Sequence, residues 1–164
     1  MKWPRFFLLA AVVALGAWAW VALHPDPERL IRRRLEGLAR AASFGPNQGS
    51  LAKLAGAERV AGFCATNIEV SIDVPGRQEH RLAGREDIQQ AALALRASAQ
   101  ALTVTFPDVT VLVGADRQSA VADLTLQAQV AGEHDMIVQE VKVTLQKIDG
   151  QWLLVKVETV RTLR

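Results

Sequence analysis

Apolar residues recur every three or four positions in three parts of the chain, which is the period of an amphipathic helix. The first helix is predicted to begin at Asp26, which suits the N-cap, with Pro27 at the first helical position, where a missing N–H group loses no hydrogen bond. Its apolar stripe consists of Ile31, Leu35, Leu38 and Ala42. Two further helices are predicted over residues 51–63, after the breaker GPNQGS, and over residues 85–101.

Apolar and polar residues alternate in most of the remaining segments, which is the pattern of half-buried strands. Pro107-Asp108 interrupts a β-branched run and indicates a bend or a bulge. Asp149-Gly150 is a strong signal for a hairpin turn. The predicted strands cover residues 67–74, 78–82, 102–113, 119–130, 136–148 and 151–162. This order of elements predicts an α+β fold with a mainly antiparallel sheet.

A different pattern fills residues 6–23, FFLLAAVVALGAWAWVAL, which carry no charge. A transmembrane helix needs about 20 apolar residues, and a secretory signal has a shorter apolar core and a small-residue cleavage site. Ala17-Trp18-Ala19 fits such a site poorly, so we predict an uncleaved anchor, with a cleaved signal peptide as the alternative. The predicted organisation is a flank at 1–5, a transmembrane anchor at 6–23, a linker at 24–27 and one domain at 28–164.

The orientation of the anchor depends on the basic residues at its two ends. Lys2 and Arg5 precede it, whereas five arginines follow it within residues 26–43. A strict count slightly favours a cytoplasmic domain. The N-terminus has the layout of a bacterial signal-anchor, however, and the later arginines belong to a helix with its own use for them. We therefore predict a single-pass protein of the inner (cytoplasmic) membrane with its domain in the periplasm or outside the cell.

The arginines in LHPDPERLIRRR are interpreted mainly as the solvated side of the first helix. Because the linker is short, some of them are also expected to touch anionic headgroups, where each is worth about 1 kcal/mol. The predicted membrane-surface contacts are Arg29, Arg32 and Arg33. The formal net charge of +2 is too small to indicate nucleic acid, and we predict no such partner.

Four segments carry a resemblance to a known family: ERLIRRRLEGLARA, NIEVSIDV, AGREDIQQAAL and the closing hairpin VTLQKIDGQWLLVKVETV. Together they resemble the nuclear transport factor 2-like superfamily, including its SnoaL-like and ketosteroid isomerase-like branches. The resemblance implies a cone in which three helices pack on a curved sheet. It also implies an apolar pocket in the cone and, in many members, a homodimer formed through the sheet. The superfamily includes enzymes, ligand binders and non-catalytic assembly modules, so the fold alone does not decide the function.

Catalytic groups are sparse. An enzyme of the isomerase branch would need a carboxylate base and an oxyanion donor such as tyrosine, and the sequence contains no tyrosine. The weak catalytic candidates are His80, Asp73 and Asp123, of which Asp123 is expected to face solvent or a partner. The single cysteine, Cys64, is interpreted as a small buried hydrophobe. No pair of histidines has metal-ligand spacing, and we predict neither a metal nor a cofactor.

The residues predicted to line the pocket of the cone are Phe63, Phe106, Ala122, Leu124, Leu126, Ala128 and Trp152. Their alternative interpretation is a plain packed core. These observations favour a membrane-anchored, non-catalytic binding or assembly module that binds a protein partner or itself through its sheet or the mouth of the cone. The alternative is a SnoaL-like binder of an apolar small molecule, or an enzyme of the isomerase, cyclase or dehydratase type.

Overall fold

The computed structural model of the chain describes residues 26–72, 80–133 and 135–160. Three helices and seven strands follow one another in this part of the chain: α1 (Pro27–Ala42), α2 (Ser50–Ala61), β1 (Cys64–Ile72), β2 (His80–Ala83), α3 (Arg85–Ser98), β3 (Leu102–Thr105), β4 (Val109–Val113), β5 (Ser119–Val130), β6 (Ile137–Ile148) and β7 (Gln151–Thr159). The predicted α+β fold, with three helices packed on a curved sheet to form a cone, is confirmed.

The strands form one sheet in the order β2-β1-β7-β6-β5-β3, and β4 pairs with β5 farther along the same edge. All pairs are antiparallel except β1 and β7, which run parallel. The predicted bend at Pro107-Asp108 separates β3 from β4. Register shifts occur between Cys64 and Glu69 and between Thr144 and Leu145. Such bulges bend strands and increase their twist, which suits a sheet that wraps around its helices.

Helix α1 begins as the sequence predicts. The Asp26 side chain accepts a hydrogen bond from the backbone N–H of Glu28 at 3.1 Å, and Pro27 occupies the first helical position. The Glu28 carboxylate and the Arg40 guanidinium also match the positive and negative ends of the helix dipole. The buried face of α1 is formed by Ile31, Leu35, Ala39 and Ala41.

The main core lies between α1 and the inner, helix-facing side of the sheet. Ile31 and Leu35 of α1, Ile68 of β1 and Leu145 of β6 are its largest fully buried side chains. A smaller cluster joins the end of α1 to β3 through Ala39, Phe44, Leu102 and Val104. Helices α2 and α3 pack on each other, and α3 contacts β1 and β2.

The predicted anchor at residues 6–23 lies outside the described residues, as do the predicted flank and residues 24 and 25 of the predicted linker. Among the helices that the structure describes, none has the length and apolar character needed to cross a bilayer.

Candidate functional site

The residues predicted to line a pocket lie in or against the two apolar clusters, which also contain side chains of α1. Ala122, Leu124 and Trp152 are buried in the main core together with Ile31 and Leu35. Phe63, Phe106 and Leu126 are half-buried against that core, and Ala128 packs against the smaller cluster. These residues are thus buried or half-buried among other apolar side chains, an arrangement that the packed-core interpretation also predicts.

The three weak catalytic candidates do not form one described site. Asp123 lies on the outer side of β5, where its Oδ1 atom is 4.0 Å from Nζ of Lys142. His80 begins β2, and three strands separate β2 from β5 in the sheet. Four interstrand spacings of about 4.8 Å place the two strands roughly 19 Å apart along the sheet. The His80 side chain and the whole of Asp73 lie outside the described residues.

The outer side of the sheet is lined by direct cross-strand neighbours, and we call this surface the outer face. One row across it contains Thr110, Asp123, Lys142, Glu158, Ser71 and Arg81. The adjacent row contains Leu112, Val121, Thr144, Lys156, Glu69 and Ala83. The side chains of these rows point away from the core because strand residues alternate between the two sides of a sheet.

Opposite charges alternate on the outer face. The Lys156 ammonium contacts the Glu158 carboxylate, and this contact, with a smaller contribution from Glu69, raises the pKa of Lys156. Closer to the beginning of β6, Oγ1 of Thr125 donates a hydrogen bond to Oε1 of Glu140 at 2.8 Å. Exposed pairs of this kind contribute little to stability.

A groove of about 600 Å³ runs between α1 and the segment from β3 to β4, and we call it the helix groove. Leu35, Ala39, Val104 and Phe106 contribute its apolar part. Its polar part comes from Arg32, Glu36, Arg40 and Ser43. The groove is a concave surface that combines apolar and polar groups, as small-molecule sites do.

The predicted membrane-contact arginines occupy different environments. Arg29 is largely exposed, with its Nε atom 3.7 Å from the Asp26 carboxylate, and Arg33 is also exposed. Arg32 is half-buried: its guanidinium donates hydrogen bonds to Oε1 of Glu28, at 3.0 and 2.8 Å, and to the backbone carbonyl of Val109. Arg32 therefore links α1 to β4, and its contact with a membrane remains a prediction.

Three other arginines have contacts that the periodicity did not reveal. Arg34, which flanks the apolar stripe of α1, lies over the Phe63 ring at 4.3 Å and donates to the carbonyl of Gly62 at 2.9 Å. Arg85 donates to the carbonyl of Cys64 at 2.9 Å from its Nε atom. Arg96 is buried, and its only sequence signal is Gly56, a glycine in the interior of a predicted helix.

Cys64 is buried, as predicted. Burial raises the pKa of its thiol to about 11, although the charges of Arg85 and Arg34 partly oppose this shift. Such a thiol is protonated at neutral pH and is a poor nucleophile. Among residues 26–72, 80–133 and 135–160, no group of three or more histidine, cysteine, aspartate and glutamate side chains is arranged to hold a metal ion.

No protein-family model matches the sequence, and no curated protein matches it either. Solved structures do match the fold. An NTF2-like protein with a cystatin-like fold from Novosphingobium aromaticivorans is 18% identical, with a TM-score of 0.59, and the match covers 92% of this chain and 86% of that one. An NTF2-like protein of unknown function from Pseudomonas putida KT2440 is 12% identical, with a TM-score of 0.59 and coverage of 82% and 85%.

A third similar structure, also from Novosphingobium aromaticivorans, is described as a candidate scytalone dehydratase. It is 16% identical, with a TM-score of 0.61, and the match covers 83% of this chain and 84% of that one. Identities this low show the shared fold alone. The chain thus has the nuclear transport factor 2-like, cystatin-like fold that its motifs predicted.

Proposed function

We propose that the chain is a membrane-anchored, non-catalytic binding or assembly module that docks a protein surface on its outer face. The observation that carries this proposal is the outer face itself, where cross-strand rows expose alternating acids and bases. Ile31 and Leu35 of α1 share one buried cluster with Ala122 and Leu124 of β5, and this supports the same proposal because buried core side chains take up space that a ligand would need.

A second copy of the chain is the partner that this surface suits best. Two copies related by a two-fold axis present the same patch to each other, so a patch with both signs of charge can match itself. Asp123 and Lys142 on neighbouring strands illustrate the alternation. The half-buried Thr144 lies between Val121 and Lys156 near the middle of the face.

The membrane location is part of the proposal. The uncharged run at residues 6–23 supports a transmembrane anchor, and the bacterial signal-anchor layout of the N-terminus supports a periplasmic or extracellular domain. Membrane association would raise the local concentration of copies, which favours pairing through a surface that is weak in dilute solution.

The test is the oligomeric mass of the full-length protein in detergent, measured by light scattering. Thr144→Arg places a bulky charge in the middle of the outer face, and Gln90→Arg makes a comparable change at an exposed position on α3. We expect the wild type and Gln90→Arg to be dimeric and Thr144→Arg to be monomeric. A monomeric wild type, or a dimer that persists in Thr144→Arg, would contradict pairing through this face.

The helix groove favours a second candidate function, a SnoaL-like binder of an apolar small molecule or an enzyme of the isomerase, cyclase or dehydratase type. Its volume of about 600 Å³ is within the range of small-molecule sites, and Phe106 supplies an aromatic wall. The similarity to the candidate scytalone dehydratase is compatible with this function, although the two chains share only the fold.

Mass spectrometry of small molecules co-purified with the full-length protein tests the second candidate. Thr105→Trp would obstruct the groove from an exposed position. A compound enriched with the wild type and lost with Thr105→Trp would favour the small-molecule function over the assembly function. No enriched compound, or equal enrichment with both proteins, would count against it.

A further inference from the structure

A second cavity, of about 450 Å³, lies where the loop after α1 meets the end of α3, and we call it the loop cavity. It is separate from both the outer face and the helix groove. Polar side chains dominate its lining, among them Asn47, Gln48, Lys53, Arg96 and Ser98. Such a lining suits a hydrophilic ligand better than an apolar one.

Arg96 is the one buried charged side chain in the described part of the chain, with 4% of its surface exposed. Its guanidinium donates hydrogen bonds to Oε1 of Gln48, at 3.1 Å, and to the carbonyl of Ala41, and it lies over the Phe44 ring at 4.7 Å. All three partners are neutral, and none of the described carboxylates pairs with Arg96. A buried charge without a countercharge is strongly unfavourable.

Other groups around Arg96 add positive charge. Lys53 lines the same cavity, and no acidic residue does. Burial lowers the pKa of Arg96, and the positive charge of Arg59 on α2 lowers it further. Helix α2 begins at Ser50 after Gly49 without a side-chain cap, so its first N–H groups leave the positive end of the helix dipole uncompensated. The electrostatic potential at the loop cavity is therefore positive, because two arginines, one lysine and a helix N-terminus all contribute to it.

The position of the Arg96 guanidinium is built into α2. A Cβ atom added at Gly56 would lie 2.6 Å from Cζ of Arg96 and 2.7 Å from one of its terminal nitrogens. Glycine is a poor helix former, yet it stands in the middle of α2 where the guanidinium packs. The fold thus holds this cation in place beside the cavity.

We propose that the loop cavity binds a small hydrophilic oxyanion, a molecule bearing a carboxylate or phosphate group, with Arg96 and Lys53 as its cationic ligands. The planar guanidinium suits both groups because it can donate two parallel hydrogen bonds, and lysine supplies a compact second charge. Asn47 and Ser98 provide neutral hydrogen-bonding groups for the remainder of the molecule. The bound anion would supply the countercharge that Arg96 lacks among the described residues.

The experiment is isothermal titration calorimetry of the full-length protein in detergent, with inorganic phosphate and, separately, with citrate as the titrant. Chloride keeps the ionic strength constant. Lys53→Gln removes one proposed ligand, a half-buried lysine in the lining of the cavity. Lys147→Gln makes the same change at an exposed position on β6. A hydrogen bond between charged groups is typically worth enough that its loss weakens binding about tenfold or more.

We expect one saturable site for at least one of the two anions, weakened about tenfold in Lys53→Gln and unchanged in Lys147→Gln. Repeating the titration with the protein in nanodiscs distinguishes a lipid headgroup from a soluble molecule as the natural source of the anion. Weaker anion binding in phosphatidylglycerol nanodiscs, but not in phosphatidylcholine nanodiscs, would assign the site to a lipid headgroup. Equal anion binding in both kinds of nanodisc would assign it to a soluble molecule. Lack of saturable binding of both anions, or equal weakening in both lysine variants, would overturn the proposal.

Discussion

The substitution Ala122→Leu tests whether the inner face of the sheet is filled. Ala122 has 0% of its surface exposed and lies in the main core with Ile31 and Leu35 of α1. A leucine adds three carbon atoms to a place where neighbouring side chains already pack. Overpacking of this kind costs about 1–3 kcal/mol. For a chain of this length each kcal/mol lowers Tm by about 2–4 °C, so we expect a decrease of roughly 2–12 °C.

The assay is thermal unfolding of the full-length protein in detergent, followed by circular dichroism. Ala128→Leu is the matched control, because Ala128 lies on the same side of β5 but is only half-buried against the smaller cluster. We expect Ala128→Leu to change Tm by less than Ala122→Leu. An unchanged or higher Tm in Ala122→Leu would show that the inner face has room for a ligand and would refute the packing argument.

Three further predictions concern individual side chains. Ser43→Ala leaves the backbone N–H of Val104 without its 2.9 Å acceptor and should lower the free energy of unfolding in urea by about 1–3 kcal/mol. Ser98→Ala removes an exposed hydroxyl and should leave that free energy nearly unchanged, so equal decreases in both variants would contradict the role of Ser43. Because burial raises the Cys64 pKa to about 11, maleimide at pH 7 should label the native protein far more slowly than the denatured protein, and equal rates would contradict burial. Hydrogen bonds from the backbone N–H groups of Gln118 and Ser119 lower the pKa of Asp116. The ionised Asp116 carboxylate should therefore stabilise the fold above the ordinary carboxyl pKa, and this stabilisation should be lost as pH falls through the folded-state pKa. Asp116→Asn should make the free energy of unfolding less dependent on pH in this acid range, and an unchanged dependence would contradict the assignment.

The elements that depend on local sequence were predictable. The N-cap at Asp26, the break at Pro107-Asp108 and the hairpin turn at Asp149-Gly150 all appear where short-range chemistry requires them. Boundaries differ by a few residues: β1 begins at Cys64 instead of residue 67, and α3 ends at Ser98 instead of residue 101. Cross-strand pairing and capping decide such ends.

The roles of the arginines and the contents of the cone were not predictable, because they depend on contacts distant in sequence. Arg32 donates to a carbonyl 77 residues away, and Arg96 donates to one 55 residues away. Periodicity predicts that Arg32 lies on the solvent-exposed face of α1, and it indicates no role for Arg96. Similarly, an alternating strand identifies the inner side of β5 but does not say whether a helix or a ligand fills the space beside it.

Site-specific photo-crosslinking in the native membrane can establish whether the outer face is the binding surface. A photoreactive residue replaces Lys142 on the outer face or, as the control, the exposed Glu58 on α2. We expect position 142 of the full-length protein to yield a covalent product with a second copy of the chain and position 58 to yield none. Products of equal yield from both positions, or no protein product from position 142, would contradict this expectation.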